Sequence, residues 1–232
     1  MSTRLAAVVS LDTQRPVGPL YRSIIVLDLE ESTKRTNPVK GELRRVMYDL
    51  LERSLEAVAV TGNRLEPLSD RGDGVLVLIK PHDEVPKTVL LDRLIPLLAT
   101  LLTEHNAQAA QPALRMRLRV VLHAGEIHRD ERGCYGEAID IAVRLLDAPR
   151  VKKTLKQAAV PLVPVISDDI HSGIVCHGYA DASTYSPIWV SVGEKRHRGW
   201  VRIPAPVASP TGAPSSSARA ITGMRAHYSE AG

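Results

Sequence analysis

Residues 69–80, SDRGDGVLVLIK, decide the fold of this chain. The first half is a turn in which two glycines flank Asp73, and the second half (75–79, VLVLI) is a branched apolar run typical of a buried strand. Such a turn presents one carboxylate at the edge of a strand. An earlier strand-like run, residues 23–27 (SIIVL), ends in the same way at Asp28. Two buried strands are therefore predicted to deliver one aspartate each.

Two aspartates placed in this way can share a divalent metal ion. Magnesium binds through one or two carboxylates and completes its shell with water and substrate phosphates. Asp28 and Asp73 therefore predict a metal site that serves a nucleotide substrate. An alternative is that both aspartates only cap turns, because Asp is common beside Gly in hairpins.

The composition favours one domain of ordinary size. The chain has 232 residues, of which 44% are hydrophobic, so it can bury a core. Aromatic residues make up only 3%, which leaves few rings to stack on bases and argues against a nucleic-acid partner. The formal net charge of +4 suits a polyphosphate ligand.

Cysteine content and the length of the apolar runs bear on the cellular setting. Cys134 and Cys176 form neither a disulfide framework nor a paired zinc motif, which favours a reduced, cytoplasmic setting. No segment approaches the roughly 20 apolar residues that span a bilayer, so a soluble protein without a membrane partner is expected.

The order of the predicted elements indicates an α+β fold. An N-terminal arm (1–20) precedes one domain (21–203), and a disordered tail rich in Pro, Ala and Ser (204–232) follows it. Hydrophobic periodicity in the domain predicts strand, helix, strand, strand, helix and strand. This order is the split βαβ arrangement of ferredoxin-like domains, which is a mostly antiparallel sheet with flanking helices. Further strands and helices follow it.

Three polar or aromatic features carry expectations of their own. In the strand predicted at 114–122, arginines at positions 115, 117 and 119 alternate with apolar residues, which predicts a wet, basic strand face. Residues 193–199 are predicted to form a loop between the last two strands. The tryptophans at positions 189 and 200 are expected to lie in the core.

Three separated motifs resemble the class III nucleotidyl cyclases, the catalytic domains of adenylyl and guanylyl cyclases. The first is the strand that ends at Asp28, followed by Thr33 at the place of a family threonine. The second is the turn 71–74 (RGDG), which is similar to the family's Gly-Asp-Gly turn. The third is 122–126 (LHAGE) followed by 136–145 (GEAIDIAVRL), which resembles a strand end and a helix of the family. Together they extend over about residues 21–203.

The resemblance implies a site that is shared between two chains. Asp28, Asp73 and the backbone carbonyl of Leu29 would hold two Mg²⁺ or Mn²⁺ ions, and backbone amides that follow would bind the terminal phosphates. Arg144 would stabilise charge that grows on the α-phosphate, and Asp140 stands where the family has an asparagine. Family members are head-to-tail homodimers, so these two residues would face the metal aspartates of the other subunit. An ordinary surface ion pair between Asp140 and Arg144 is the alternative, because they lie four residues apart on one helix.

The positions that read the base in purine cyclases have different residues here. Ser69 stands where adenylyl enzymes have Lys and guanylyl enzymes have Glu, and Gly133 stands at the partner position, with Cys134 next to it. Pyrimidine cyclases of bacterial antiphage defence also resemble this domain and lack both purine codes. For the terminal phosphates, the resemblance suggests Lys195, with the arginines at 196 and 198 as rivals.

The sequence therefore predicts a homodimeric nucleotidyl cyclase that converts a nucleoside triphosphate into a 3′,5′-cyclic nucleotide and pyrophosphate, with a pyrimidine base favoured. One alternative is a catalytically inactive cyclase-homology domain that binds a nucleotide or regulates a partner. Another is a palm-type nucleotidyltransferase, against which the helix motif at 136–145 argues.

Overall fold

A mixed sheet of eight strands runs through the part of the chain that the computed structural model describes, residues 18–202. The strands are β1 (Leu20–Leu29), β2 (Ser69–Asp70), β3 (Gly74–Ile79), β4 (Leu118–Asp130), β5 (Gly133–Tyr135), β6 (Leu162–Ser167), β7 (Tyr185–Val192) and β8 (Lys195–Arg202). They follow the order β2-β3-β1-β4-β6-β8-β7, and β5 pairs with β4 outside this row. Only the β4–β6 pair is parallel.

The helices of the described residues lie against this sheet. They are α1 (Asn37–Ala57), α2 (Lys87–Val89), α3 (Ile95–Gln108), α4 (Glu137–Asp147), α5 (Pro149–Gln157) and α6 (Asp168–Gly173). A π-helical turn, Leu90–Leu94, connects α2 to α3, so residues 87–108 are helical throughout but change helix type within this length. The predicted tail and all but the last three residues of the predicted arm lie outside the described residues.

The first half of the domain confirms the predicted α+β fold. The elements β1, α1, β2, β3, α3 and β4 follow one another in the chain, and the strand order β2-β3-β1-β4 is antiparallel throughout. This is the ferredoxin-like arrangement. Strand β2 is only two residues long, Ser69–Asp70, and a single bridge from Leu65 to Ile79 precedes it.

The core has two layers, one on each face of the sheet. Alternate residues of the central strands, such as Ile25 and Leu27, pack against α1 and α3 and are fully buried. The residues between them, such as Val26 and Leu76, share the opposite core with α4. This alternation follows from the period of two in a strand, and burial of both faces explains why the apolar runs are nearly continuous.

Three expectations were wrong. Residues 193–199 do not form a loop, because β7 and β8 make a hairpin whose turn is Gly193 and Glu194, with φ +57° at the glycine. Trp189 is 55% exposed on the edge strand β7 and so is not a core residue. Strand β4 begins only at Leu118, and Arg119 is 8% exposed instead of lying on a wet face.

None of the helices between residues 18 and 202 is both long enough and apolar enough to cross a membrane.

Candidate active site

The fold brings the two predicted metal aspartates side by side. Asp28, near the end of β1, is paired with Gly74 at the start of β3, and the backbone N–H of Leu29 donates to the carbonyl oxygen of Asp73 at 3.0 Å. Two glycines make this approach possible. Gly72 has φ +81°, which other residues rarely adopt, and a Cβ at Gly74 would collide with the backbone of β1.

The Asp73 carboxylate is oriented from the loop that follows β1. Its Oδ2 accepts a hydrogen bond from the hydroxyl of Ser32, which is 6% exposed. Ser32 begins a short 3₁₀ turn, Ser32–Lys34, and Glu31 before it adopts a left-handed conformation with φ +56°. The loop that the resemblance assigns to phosphate binding therefore bonds directly to Asp73, the second of the two predicted metal ligands.

Asp28 has a partner that the sequence analysis missed. Arg119, directly opposite on β4, forms an ion pair with Oδ2 of Asp28, and its Nη1 lies 3.6 Å from the carboxylate of Asp147. Burial lowers the pKa of the Arg119 guanidinium, and its buried Nε has no hydrogen-bond partner among the described residues. This ion pair depends on the register of β1 against β4, which places Asp28 opposite Arg119. The alternation of arginines in the sequence does not reveal that register.

The donors at this edge fit a magnesium ion. Two carboxylates and one backbone carbonyl, from Asp28, Asp73 and Leu29, are hard oxygen ligands of the number that Mg²⁺ takes when phosphates complete its shell. Across residues 18–202, no group of three or more His, Cys, Asp or Glu side chains is arranged to hold a metal. The donor set therefore suits an ion shared with a phosphate substrate better than a closed protein cage.

An arginine of α1 clamps the turn that carries Asp73. Nη1 of Arg44 donates to Oδ1 of Asp70 at 2.6 Å and to the carbonyl oxygen of Gly72, and its guanidinium lies 5.1 Å from the ring of Tyr48. Arg44 and Asp73 both line a cavity of about 400 Å³ between α1, the turn and the loop after β1. Lys40 and Thr33 also face this cavity.

The two predicted base-reading positions lie on different strands, Ser69 on β2 and Gly133 on β5, where Cys134 follows Gly133. Burial raises the pKa of the Cys134 thiol, and the Arg129 guanidinium and, to a smaller extent, the Ser69 hydroxyl act in the opposite direction. Gly133 is exposed and has φ +150°, which allows the sharp return from β4 to β5. Neither Ser69 nor Cys134 is long enough to reach far into a cleft.

Asp140 and Arg144 both lie on the exposed face of α4. The surface ion pair between them is not formed, and in the described part of the chain neither side chain makes a hydrogen bond or an ion pair. The inward face of the same helix is apolar, and a Cβ at Gly125 of β4 would lie 2.8 Å from Cβ of Ala138. Within one chain, the structure does not join Asp140 or Arg144 to the aspartates by any bond.

Lys195 opens β8 and donates from Nζ to Oε1 of Glu137 at 2.9 Å, at the start of α4. This bond holds the pKa of the Glu137 carboxyl below its usual range. The two rivals are engaged elsewhere, because Arg198 binds Asp168 at 2.8 Å and Arg196 lies 4.9 Å over the Trp189 ring. Lys195 is thus the one of the three that lies beside α4.

The sheet order, with paired aspartates on adjacent strand ends, is the fold of the class III nucleotidyl cyclase catalytic domains. The crystal structure of an adenylate/guanylate cyclase/hydrolase from Silicibacter pomeroyi is similar with a TM-score of 0.58 and 14% identity, and the match covers 80% of this chain and 98% of that one. The guanylyl cyclase Cya2 gives a TM-score of 0.53, 16% identity and coverage of 85% and 98%.

The catalytic core of a rhodopsin-guanylyl cyclase with converted specificity, in complex with ATPαS, is similar with a TM-score of 0.53 and 11% identity. The match covers 79% of this chain and 95% of that one. At these identities the likeness concerns the fold. No protein-family model matches the chain, and no curated protein sequence matches it.

Proposed function

We propose that this protein is a nucleotidyl cyclase that converts a nucleoside triphosphate into a 3′,5′-cyclic nucleotide and pyrophosphate. The observation that carries the proposal is the adjacency of Asp28 and Asp73 at one edge of a cyclase-type sheet. A cytoplasmic setting remains a prediction that rests on the two cysteines.

Asp28, Asp73 and the carbonyl of Leu29 would hold one or two Mg²⁺ or Mn²⁺ ions. Bound metal would supply charge to polarise the α-phosphate and to ease loss of the proton from the ribose 3′-hydroxyl. The 3′-oxygen then bonds to the α-phosphorus while the bond from that phosphorus to pyrophosphate breaks. Ser32 keeps the Asp73 carboxylate directed toward this place through its hydroxyl.

Arg119 adds a fixed positive charge beside the aspartates. Its guanidinium is almost fully buried and forms an ion pair with Asp28, so this positive charge is already ordered beside the proposed metal site. Its buried Nε has no hydrogen-bond partner among residues 18–202. We therefore expect the ion pair to loosen when metal and triphosphate enter together.

The other half of the site would come from a second copy of the chain. Arg144 and Asp140 are exposed and unpaired, which supports a role in contacting something outside their own chain. In the proposed head-to-tail dimer, Arg144 of the partner subunit stabilises charge that builds up on the α-phosphate. Lys195, which lies beside α4 through its bond to Glu137, would bind the terminal phosphates.

The finer proposal is a pyrimidine cyclase, with UTP or CTP as substrate, of the kind that signals in antiphage defence. Its support is that Ser69 and Gly133 provide neither purine code and that both are small.

The test is mass spectrometry of reactions of the purified protein with ATP, GTP, CTP and UTP, each with Mg²⁺ and with Mn²⁺. We expect a 3′,5′-cyclic product from the wild type and from Asp49→Asn, which changes an exposed aspartate of α1. We expect none from Asp73→Asn. Product formation that survives Asp73→Asn would refute the metal assignment.

One observation favours a second candidate, a catalytically inactive nucleotide-binding or regulatory module. Asp140 places a carboxylate where the family has an amide, and no cation between residues 18 and 202 forms an ion pair with it. A negative group there would repel the developing charge. If the folded wild type binds a triphosphate yet yields no product, and Asp140→Asn restores product, the inactive module is the better description.

A further inference from the structure

Glu66 is a buried carboxylate that binds two arginines. It lies just before β2, is 6% exposed, and its backbone N–H donates to the carbonyl of Leu78 at 3.0 Å. Its Oε1 accepts from Nε of Arg22 at 2.5 Å, and its Oε2 accepts from Nη2 of Arg129. Two guanidinium groups against one carboxylate leave the cluster positively charged. Pairing of this kind is what makes a buried carboxylate tolerable.

The two arginines of this cluster differ in exposure. The Arg22 side chain is 10% exposed and also donates to the carbonyl of Tyr21, so it is a structural contact of β1. The Arg129 side chain is 42% exposed. A guanidinium has five N–H donors in a rigid fork, and in the described part of the chain only Nη2 of Arg129 is bonded, to Glu66. Its other donors therefore face open space.

The free side of Arg129 lies at the place where the base is expected. Arg129 is paired with Cys134 across the β4–β5 hairpin, and Gly133, the predicted partner position, precedes Cys134 in β5. Glu66, which binds Arg129, is three residues before Ser69 in the chain. Ser69 and Cys134 both have short side chains.

We infer that the Arg129 guanidinium, fixed by Glu66, is the group that determines base specificity and that it selects pyrimidine nucleoside triphosphates. This inference rests on the proposed function. The guanidinium occupies part of the room that the second ring of a purine needs. Its free N–H donors would bind the O2 carbonyl that uracil and cytosine share, and the Glu66 carboxylate beside it would not compete, because both of its oxygens are already paired. Adenine has no carbonyl to accept such a bond.

The experiment compares kcat/KM for UTP, CTP, ATP and GTP in the full-length wild type and three variants. Arg129→Ala removes the guanidinium. Arg129→Lys keeps a positive charge beside the Glu66 carboxylate, and with it the fold, but lacks the forked N–H donors of a guanidinium. Arg132→Ala is the matched control, an exposed arginine of the same hairpin. We expect the ratio of pyrimidine to purine activity to fall about tenfold in both Arg129 variants and to stay unchanged in Arg132→Ala.

An equal loss with all four triphosphates, or no change in the ratio, would overturn the inference, because a purely structural Arg129 would not discriminate among bases. Comparing UTP with CTP tells which pyrimidine is the substrate. If the wild type forms no cyclic product at all, the proposed function fails, and the inference is then decided by calorimetric binding of the four triphosphates with Ca²⁺. A pyrimidine preference that Arg129→Lys abolishes would support it, and equal binding would overturn it.

Discussion

Arg119 on β4 forms a buried ion pair with Asp28 on β1, the strand next to it. The exposed fractions of the two side chains are 10% and 16%, so neither charge is well hydrated. The aspartate that we propose as a metal ligand is therefore paired with a cation that would also suit a phosphate. Bound metal and triphosphate would replace this ion pair and keep the charge at this edge of the sheet balanced.

We predict that Arg119→Gln lowers the free energy of unfolding by about 3 kcal/mol, because it leaves the Asp28 carboxylate buried without its partner. The same variant should bind Mg²⁺ more tightly in calorimetric titrations, since no cation competes for Asp28, while its cyclase activity falls. The double variant Asp28→Asn with Arg119→Gln should recover part of the stability. Unchanged Mg²⁺ affinity in Arg119→Gln would show that the ion pair does not compete with metal.

A second prediction concerns the close approach of the strands at Gly74. Gly74→Ala should destabilise the protein by about 2 kcal/mol and abolish activity, because the added Cβ meets the backbone of β1 beside Asp28. Gly41→Ala, in open space on α1, should stabilise by about 0.5–1 kcal/mol. Urea unfolding measures both. An equal effect of the two substitutions would contradict the proposed packing.

A third prediction concerns the clamp on the turn. Arg44→Met removes the bonds to Asp70 and Gly72 and should lower Mg²⁺ affinity about tenfold, as changes that misplace a metal ligand do. Arg45→Met is the matched control, because Arg45 is exposed and binds only Glu42 of its own helix. Equal affinities in the two variants would show that the turn does not need the clamp.

Much of this arrangement is predictable from local patterns, and the exceptions have physical reasons. Apolar periodicity predicted β1, β3 and α1, because those elements bury a regular set of side chains. It predicted the end of β8 from about Trp200 but missed the start, because residues 195–198 are polar and pair along an exposed hairpin, so no hydrophobic alternation marks that half of the strand.

In the candidate site too, some residues can be identified from local sequence and others cannot. Asp28 and Asp73 can be picked out from the sequence because each lies where an apolar strand meets a turn, Asp28 near the end of β1 and Asp73 just before β3. The ion pair of Arg119 and the bonds of Glu66 depend on register between strands more than 40 residues apart, which local sequence does not reveal.

A fourth prediction concerns pH. His123 is 2% exposed, its Nδ1 has no hydrogen-bond partner within residues 18–202, and burial lowers its pKa from 6.5 to about 4. Between pH 6.5 and 4, His123 therefore binds a proton in the unfolded chain but not in the folded protein. Stability should fall as the pH drops through this window, by about 3 kcal/mol at most.

Urea unfolding at a series of pH values checks this expectation. His123→Leu should lose that part of the pH dependence, whereas His177→Leu, at an exposed position, should follow the wild type. If His123→Leu keeps the same slope between pH 6.5 and 4, other groups cause it.

The central claim is that Asp73 of one chain and Arg144 of another complete one cyclase site. The most direct measurement mixes Asp73→Asn with Arg144→Ala, each inactive alone, and quantifies cyclic nucleotide by mass spectrometry. When equal amounts are mixed and pair at random, half of the dimers contain one chain of each variant. One of the two sites in each mixed dimer is intact, so about a quarter of the wild-type activity should return. A mixture that stays as inactive as its two components would contradict the shared site.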